Sequence, residues 1–157
     1  MSEPKPNLLD RLRPAVLPFA RYNIKNPNNK KLVAIGEAIS FEDQLVHVNK
    51  DEPKTVIITT LDNLSMESRY LWIIDEFGNL SIILETTSNP EAARKCVCHS
   101  NMTGGREALQ GGEVWFLSPK SIVLNFRSGR YGAETPDHEK AVVEYWEFFD
   151  FTVKLDE

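Results

Sequence analysis

The stretch HSNMTGGR at positions 99–106 groups residues that can transfer a proton with residues that can bind an anion. His99 carries an imidazole, which exchanges a proton near neutral pH. Glycines let backbone N–H groups approach a ligand closely, and a guanidinium pairs with phosphate or carboxylate. We therefore predict a proton-transfer role for His99 and ligand contacts from the residues that follow it: Ser100, Thr103, Gly104, Gly105 and Arg106. The alternative is a loop in which the diglycine only relieves backbone strain.

A second candidate stretch, NFRSGRYG at positions 125–132, surrounds a glycine with two arginines, a hydroxyl and a phenol. Arg127 and Arg130 could hold an anion, and Tyr131 could stack on a ring. If the two stretches converge at one edge of a sheet, the predicted catalytic residues come from both: His99, Ser128 and Tyr131. The alternative is a connection between a strand and a helix whose arginines are only solvated.

The two cysteines, Cys96 and Cys98, lie next to His99 and raise the question of a metal site. On a strand, the two thiols point to one face and the imidazole points to the other. Since no second ligand pair occurs in the sequence, we predict structural thiols, no metal and no cofactor. Two cysteines at this spacing also provide no disulfide framework, which is typical of a reducing compartment.

Two β-hairpins are predicted to position these stretches. The runs Tyr70–Ile74 and Leu80–Leu84 are rich in β-branched and aromatic residues, and a short loop with a glycine separates them. The runs Glu113–Leu117 and Ser121–Asn125 follow the same design around a turn with a proline. A further strand is predicted at Thr55–Thr60. Two hairpins imply an antiparallel sheet.

The C-terminal region predicts an amphipathic helix followed by a strand. Thr135 can cap the helix, with Pro136 at its first position and Asp137 near its positive end. One apolar stripe with helical spacing should pack on the sheet: Ala141, Val142, Tyr145, Phe148 and Phe149. Apolar and polar residues then alternate over 151–155, as in a half-buried strand. The predicted fold class is therefore α+β, mainly an antiparallel sheet with this helix packed on it and a final strand.

The length of 157 residues, of which 41% are hydrophobic, fits a single domain. We divide the chain into a basic arm with prolines and asparagines at 1–30 and a globular domain at 31–157. No apolar run approaches the roughly 20 residues that cross a bilayer, and the N-terminus is too polar for a signal peptide. We therefore expect a soluble, cytoplasmic protein.

Charge is unevenly distributed along the chain. The net charge is +5 over 1–36, −8 over 37–91, +4 over 92–132 and −6 over 133–157. A chain with an overall charge of −5 is a poor general binder of polyanions, so nucleic acid is not an expected partner. A local basic stretch can still hold one phosphate or one acidic partner.

Short motifs follow each other in a fixed order: His99-Ser100 before a diglycine, GGEVW at 111–115, and SGRY at 128–131. This order, over about residues 70–155, resembles a module of plant IQ-motif calmodulin-binding proteins and of bacterial toxin- or effector-like proteins. The resemblance implies that His99, Ser128 and Tyr131 belong to one site, but it implies no established reaction. Arg130 stands where that module has histidine, and the chain has no IQ motif, so calmodulin binding is not implied.

Two classes of function remain open. We favour a non-catalytic protein-interaction module, such as a subunit, adaptor or immunity-type partner, because the sequence has no complete triad, metal set or phosphate loop. The alternative is a small effector- or toxin-like domain that binds a phosphate-bearing ligand or nucleotide. There His99 would transfer the proton, and Ser128 or Tyr131 would orient the ligand. Arg106 and Arg130 would clamp the anion. The expected partner is thus another protein or a small anionic ligand, and we expect no binding to a membrane. Whether the chain is an enzyme stays open.

Overall fold

The computed structural model describes residues 11–12, 39–41, 44–48, 68–91, 95–104, 106, 108–118, 120–128, 131–133 and 135–156. The predicted strand at Thr55–Thr60 and the boundary between the arm and the domain lie outside the described residues. Two predicted ligand-binding residues, Gly105 and Arg130, also lie outside them.

The described part of the chain forms a six-stranded sheet and two helices. The strands are β1 (Val46–His47), β2 (Tyr70–Asp75), β3 (Leu80–Leu84), β4 (Ala108–Ser118), β5 (Ser121–Leu124) and β6 (Thr152–Leu155). The helices are α1 (His99–Thr103) and α2 (Pro136–Phe148). The α+β class is thereby confirmed. None of the helices in the described ranges is long and apolar enough to span a membrane.

The strand order across the sheet is β1-β3-β2-β4-β5-β6. Neighbouring strands are antiparallel except β5 and β6, which are parallel. The parallel pair arises because α2 carries the chain back to the starting end of β5 before β6 begins. The sheet is therefore mainly antiparallel, as predicted, but it is mixed, because the sequence did not predict the parallel pairing of β5 and β6.

Residue alternation along β2 gives the sheet two apolar faces. On the α2 face, Trp72 makes an edge-to-face contact with Trp146 at a ring-centroid distance of 6.2 Å. Other buried residues of this core include Tyr70, Ile74, Val114, Phe116, Ala141, Val142, Tyr145 and Phe149. The opposite face, which we call the α1 face, has its own buried cluster: Leu71, Ile73, Val97, Met102 and Tyr131. The predicted site residues that the structure describes are on or beside this second face.

The N-terminus of α2 is capped by Thr135. Its hydroxyl accepts the backbone N–H of His138 at 3.1 Å, and Pro136 is the first helical residue. This hydrogen bond satisfies one of the N–H groups that the start of a helix leaves without a partner. At the other end, Asp150 has a φ of 68° and reverses the chain into β6.

Two residues of the predicted N-terminal arm contact α2 and the sheet. Arg11 forms ion pairs with Glu144 at 2.9 Å and with Asp137 at 3.3 Å. Leu12 is fully buried in the core of the α2 face, and its carbonyl accepts a hydrogen bond from the Gln110 side chain at 2.6 Å. This part of the arm is therefore packed on the domain, mainly through the buried leucine.

Candidate functional site

Two consecutive glycines in β4 make room for the candidate site. A Cβ atom on Gly111 would lie 3.2 Å from Cδ2 of His99 and 3.0 Å from Cβ of Tyr131. A Cβ on Gly112 would lie 2.2 Å from the carbonyl oxygen of Asn125 and 2.9 Å from the Trp72 ring, on the other face. The glycines thus let α1, the segment after β5 and the Trp72 side chain approach the strand closely.

The His99 imidazole is fixed on β4 by a hydrogen bond between its Nε2 and the carbonyl oxygen of Gly112, at 2.8 Å. A carbonyl oxygen can only accept, so Nε2 carries the proton of this bond. In the neutral imidazole the lone pair is then on Nδ1. The ring also packs on Tyr131, with ring centroids 6.5 Å apart and an interplanar angle of 57°. His99 is thereby held in the tautomer whose Nδ1 can accept a proton.

The helix that carries His99 is held in place by a buried amide. The Asn101 Oδ1 accepts the backbone N–H of Cys98 at 3.0 Å and the side-chain amide of Asn89 at 3.1 Å. Its Nδ2 donates to the carbonyl of Ile39 at 2.8 Å. Gly104 ends the helix in the left-handed region, at a φ of 65°. Gly104 is among the predicted ligand-binding residues but Asn101 is not, because a single asparagine gives no periodic signal.

The segment after β5 is organised by another buried amide, that of Asn125. Its Oδ1 accepts the backbone N–H groups of Glu113 at 3.1 Å and Arg127 at 2.9 Å. Its Nδ2 donates to the Glu113 carboxylate at 3.0 Å. Further along, the Ser128 hydroxyl accepts the backbone N–H of Tyr131 at 3.1 Å. These bonds set the positions of Arg127 and Ser128 relative to β4.

Tyr131 joins the two candidate stretches. Its side chain is fully buried, and its hydroxyl donates to the carbonyl of Arg106 at 2.8 Å. The same hydroxyl lies 3.2 Å from the Thr103 hydroxyl, and the Tyr131 carbonyl accepts the N–H of Gly111 at 2.7 Å. A ring in this position cannot stack on a ligand from solvent. Tyr131 instead positions α1 and the segment after β5 relative to each other.

A cleft of about 260 Å³, which we call the His99 cleft, opens where the two stretches meet. Its lining side chains come from both stretches and from the sheet: Leu71, Glu85, Cys98, His99, Glu113, Arg127 and Ser128. Glu113 faces the cleft because it is paired directly with Leu71 across β2 and β4, and paired residues share a face of the sheet. Three predicted site residues, His99, Arg127 and Ser128, are therefore brought together.

The two carboxylates of the His99 cleft share one guanidinium. Arg69 pairs with Glu85 at 2.7 Å and with Glu113 at 3.4 Å. The two carboxylate side chains are mostly buried, at 15% and 13% exposure. The hydrogen bond with Glu85 raises the pKa of Arg69 above its ordinary value, and burial of the guanidinium lowers it by a smaller amount. The charges of Glu113 and Glu85 raise this pKa further. None of these three residues was predicted as a site residue, since Arg69 and Glu85 lie just beyond the ends of their strands and Glu113 lies within β4.

Other predicted ligand-binding residues do not line the His99 cleft. Ser100 and Thr103 are buried on α1, where the Ser100 hydroxyl oxygen lies 3.1 Å from the Cys98 sulfur. Arg106 lines a different cavity beside β1 and the turn between β2 and β3. Arg106 and Arg127 therefore do not share one cavity. In the described segments, no three His, Cys, Asp or Glu side chains are close enough together to hold a metal ion.

Comparison with known proteins found no matching family, no similar curated protein and no similar solved structure. The resemblance to the plant IQ-motif and bacterial effector-like module therefore stays a prediction.

Proposed function

We propose that this chain is a small-ligand-binding domain, and that its ligand is a molecule with one phosphate and several hydroxyl groups, such as a sugar phosphate or a nucleoside monophosphate. The observation that carries the proposal is the meeting of His99 with Arg127 and Ser128 in one cleft. These side chains come from stretches that are far apart in the sequence, and buried side chains of both stretches hold them together.

Arg127 and Ser128 are the proposed phosphate contacts. Arg127 is exposed at the cleft, and a guanidinium can form paired, charge-assisted hydrogen bonds with phosphate oxygens. The neighbouring Ser128 hydroxyl accepts a backbone N–H and still has its own proton to donate. Arg69 offsets part of the negative charge of the two carboxylates, so that these do not simply repel an anion.

The carboxylates Glu85 and Glu113 are the proposed acceptors for the hydroxyl groups of the ligand. Ionised carboxylates only accept hydrogen bonds, so they suit a ligand that is rich in donors. The cleft volume of about 260 Å³ lies just below the roughly 300–1,000 Å³ of sites for drug-sized molecules. These features favour a monophosphate over a larger nucleotide.

His99 is the proposed proton acceptor, through Nδ1. Its Nε2 donates to the Gly112 carbonyl, so Nδ1 is the nitrogen that carries the lone pair in the neutral ring. In this role the histidine would accept the hydrogen of a ligand hydroxyl and, if a reaction takes place, its proton.

Calorimetric titration of AMP and ribose 5-phosphate, each compared with its phosphate-free counterpart, tests the proposal. We expect both phosphates to bind and adenosine and ribose to bind at least about tenfold more weakly, because a hydrogen bond to a charged group is worth roughly 1.5–3 kcal/mol. Arg127→Gln should remove this preference. Arg106→Gln is the matched control and should leave the affinities unchanged. Equal affinities with and without phosphate, or no effect of Arg127→Gln, would contradict the proposal.

His99→Gln separates the proton-accepting role from the structural one. Glutamine can still donate an N–H to the Gly112 carbonyl, but it has no basic nitrogen. We expect a fold like that of the wild type by circular dichroism, and a pH profile of binding that keeps only the part due to the ligand phosphate, whose second ionisation lies at about pH 6. An unchanged pH profile would remove His99 from the proposed role.

A protein-interaction module is the second candidate function. Leu117, at the end of β4, is 63% exposed, and large apolar side chains are the kind that protein interfaces bury. Purification from the native host of the wild type and of Leu117→Ser would test this candidate. A companion protein that is lost with Leu117→Ser would favour it, and a chain that is always recovered alone would count against it.

A further inference from the structure

A second cavity of about 260 Å³, which we call the Phe77 cavity, lies on the α1 face beside β1 and the turn between β2 and β3. It is distinct from the His99 cleft, since the two have no lining residue in common. Its apolar lining residues are Ile73 from β2, Met102 from α1, Leu45 from the segment before β1 and Phe77 from the turn, and its other lining residues are polar or charged. The four apolar residues offer contacts for a small apolar side chain.

Opposite charges line the Phe77 cavity without pairing with each other. Asp75, Glu76 and Arg106 all line it. The Arg106 Nε donates to the carbonyl of Thr103 at 3.0 Å, and within the described residues no ion pair joins Arg106 to either carboxylate. A bound molecule with one charge of each sign could satisfy both sides at once.

The acidic side of the cavity is held by its turn. The Asp75 Oδ1 accepts the backbone N–H groups of Phe77 and Asn79, both at 2.9 Å. Its Oδ2 accepts the Asn79 side-chain amide at 3.3 Å. A carboxylate has about four lone-pair sites, so at least one remains for a ligand. The carboxylate is thus fixed before a ligand arrives, which lowers the entropy lost on binding.

Phe77 forms an aromatic rim. It is 73% exposed at the tip of the turn and lines the cavity. A ring at such a position can cover the apolar part of a small ligand, and its face attracts a cation.

We propose that the Phe77 cavity binds a free amino acid with an apolar side chain. Asp75 and Glu76 bind the ammonium group, and Arg106 binds the carboxylate. The side chain of the ligand lies against Ile73 and Phe77. The cavity volume of about 260 Å³ lies just below the roughly 300–1,000 Å³ of sites for drug-sized molecules, so it has room for leucine. This site goes beyond the proposed phosphate site, because it requires neither His99 nor Arg127.

Titration of the full chain with L-leucine and two analogues tests the proposal, by calorimetry and by backbone amide NMR shifts. One analogue, 3-methylbutylamine, lacks the carboxylate, and the other, 4-methylpentanoate, lacks the ammonium. We expect leucine to bind and each analogue to bind roughly tenfold or more weakly, because each leaves one charged side of the cavity without a partner. The amide shifts should be largest over 73–81.

Two charge variants give a crossed pattern that a general loss of stability would not produce. Arg106→Gln should weaken the binding of leucine and 4-methylpentanoate but leave the affinity for 3-methylbutylamine unchanged. Glu76→Gln should weaken the binding of leucine and 3-methylbutylamine but leave the affinity for 4-methylpentanoate unchanged. Glu91→Gln, at an exposed position that lines neither cavity, is the matched control and should bind leucine like the wild type.

Several outcomes would overturn the proposal. These are no binding of leucine at up to about 10 mM, equal affinities for leucine and both analogues, and equal effects of each charge variant on all three ligands. Phe77→Ser covers the case in which a charge variant fails to fold, because Phe77 is exposed and its loss should leave the melting temperature unchanged. It should weaken leucine binding several-fold, and unchanged binding would also overturn the proposal.

Discussion

His99 and Tyr131 come from different segments of the chain and pack on the same glycine of β4. A Cβ on Gly111 would be 3.2 Å from His99 and 3.0 Å from Tyr131, and the two rings are 6.5 Å apart. The absence of a side chain at Gly111 therefore allows the imidazole and the phenol to come together. The His99 cleft depends on this contact, because α1 and the segment after β5 form its two sides.

Replacing Gly112 with alanine should destabilise the fold strongly. The added Cβ would lie 2.2 Å from the carbonyl oxygen of Asn125, a backbone atom that cannot simply rotate away. Overpacking of this kind costs about 1–3 kcal/mol or more. Urea unfolding of Gly112→Ala measures the change in the free energy of unfolding. Ser118→Ala, at an exposed position of the same strand, is the control, and equal midpoints for the two variants would show that the close approach does not exist.

Tyr131→Phe should weaken the connection between the two stretches while keeping the ring. It removes the hydroxyl that donates to the Arg106 carbonyl and contacts Thr103. The loss of a buried hydrogen bond costs about 0.5–1.5 kcal/mol, or more if the carbonyl stays without a partner. Thermal unfolding measures the cost. A melting temperature like that of the wild type would mean that the hydroxyl is not buried against α1.

The cap of α2 can be tested with a pair of substitutions at one position. Thr135→Ala removes the oxygen that accepts the His138 N–H, and caps of this kind contribute about 0.5–2 kcal/mol. Thr135→Ser keeps the oxygen and should retain most of the stability. Chemical unfolding of both variants gives the comparison. If serine and alanine lower the free energy of unfolding equally, the hydroxyl does not cap the helix.

The attachment of the N-terminal arm should depend on Leu12 more than on Arg11. Leu12 is fully buried in the core of the α2 face, and leucine-to-alanine changes in cores cost about 2–5 kcal/mol. Arg11 pairs with Asp137 and Glu144 at the surface, where solvent and salt screen the charges. Arg11→Gln should therefore have the smaller effect on unfolding, and this effect should decrease further in high salt. The reverse order would contradict the packing of Leu12.

The sequence predicted the fold class because its signals are local. The β-rich composition of Tyr70–Ile74 and Leu80–Leu84, with a short glycine-containing loop between them, is a local pattern that does not depend on how the strands pair. The parallel pairing of β5 and β6 was missed, since it depends on where α2 returns the chain in space. The spacing of apolar residues along a strand does not indicate whether it pairs parallel or antiparallel to its neighbour.

The candidate site was harder to predict than the fold. His99, Arg127 and Ser128 were identified from residue type, and they line one cleft. Arg106 was assigned to the same cluster but lines another cavity, beside β1 and the turn between β2 and β3. The buried amides of Asn101 and Asn125 have distant partners, and no sequence spacing indicates such contacts.

The contact between His99 and Tyr131 is the most direct test of the account, and proton NMR can measure it. Nuclear Overhauser effects should connect the His99 ring with the Tyr131 side chain, and the imidazole nitrogen shifts at neutral pH should show a protonated Nε2. Absence of these cross-peaks in a folded, assigned spectrum, together with an Nδ1-protonated ring, would contradict the account. The two stretches would then not form the cleft on which the proposed function rests.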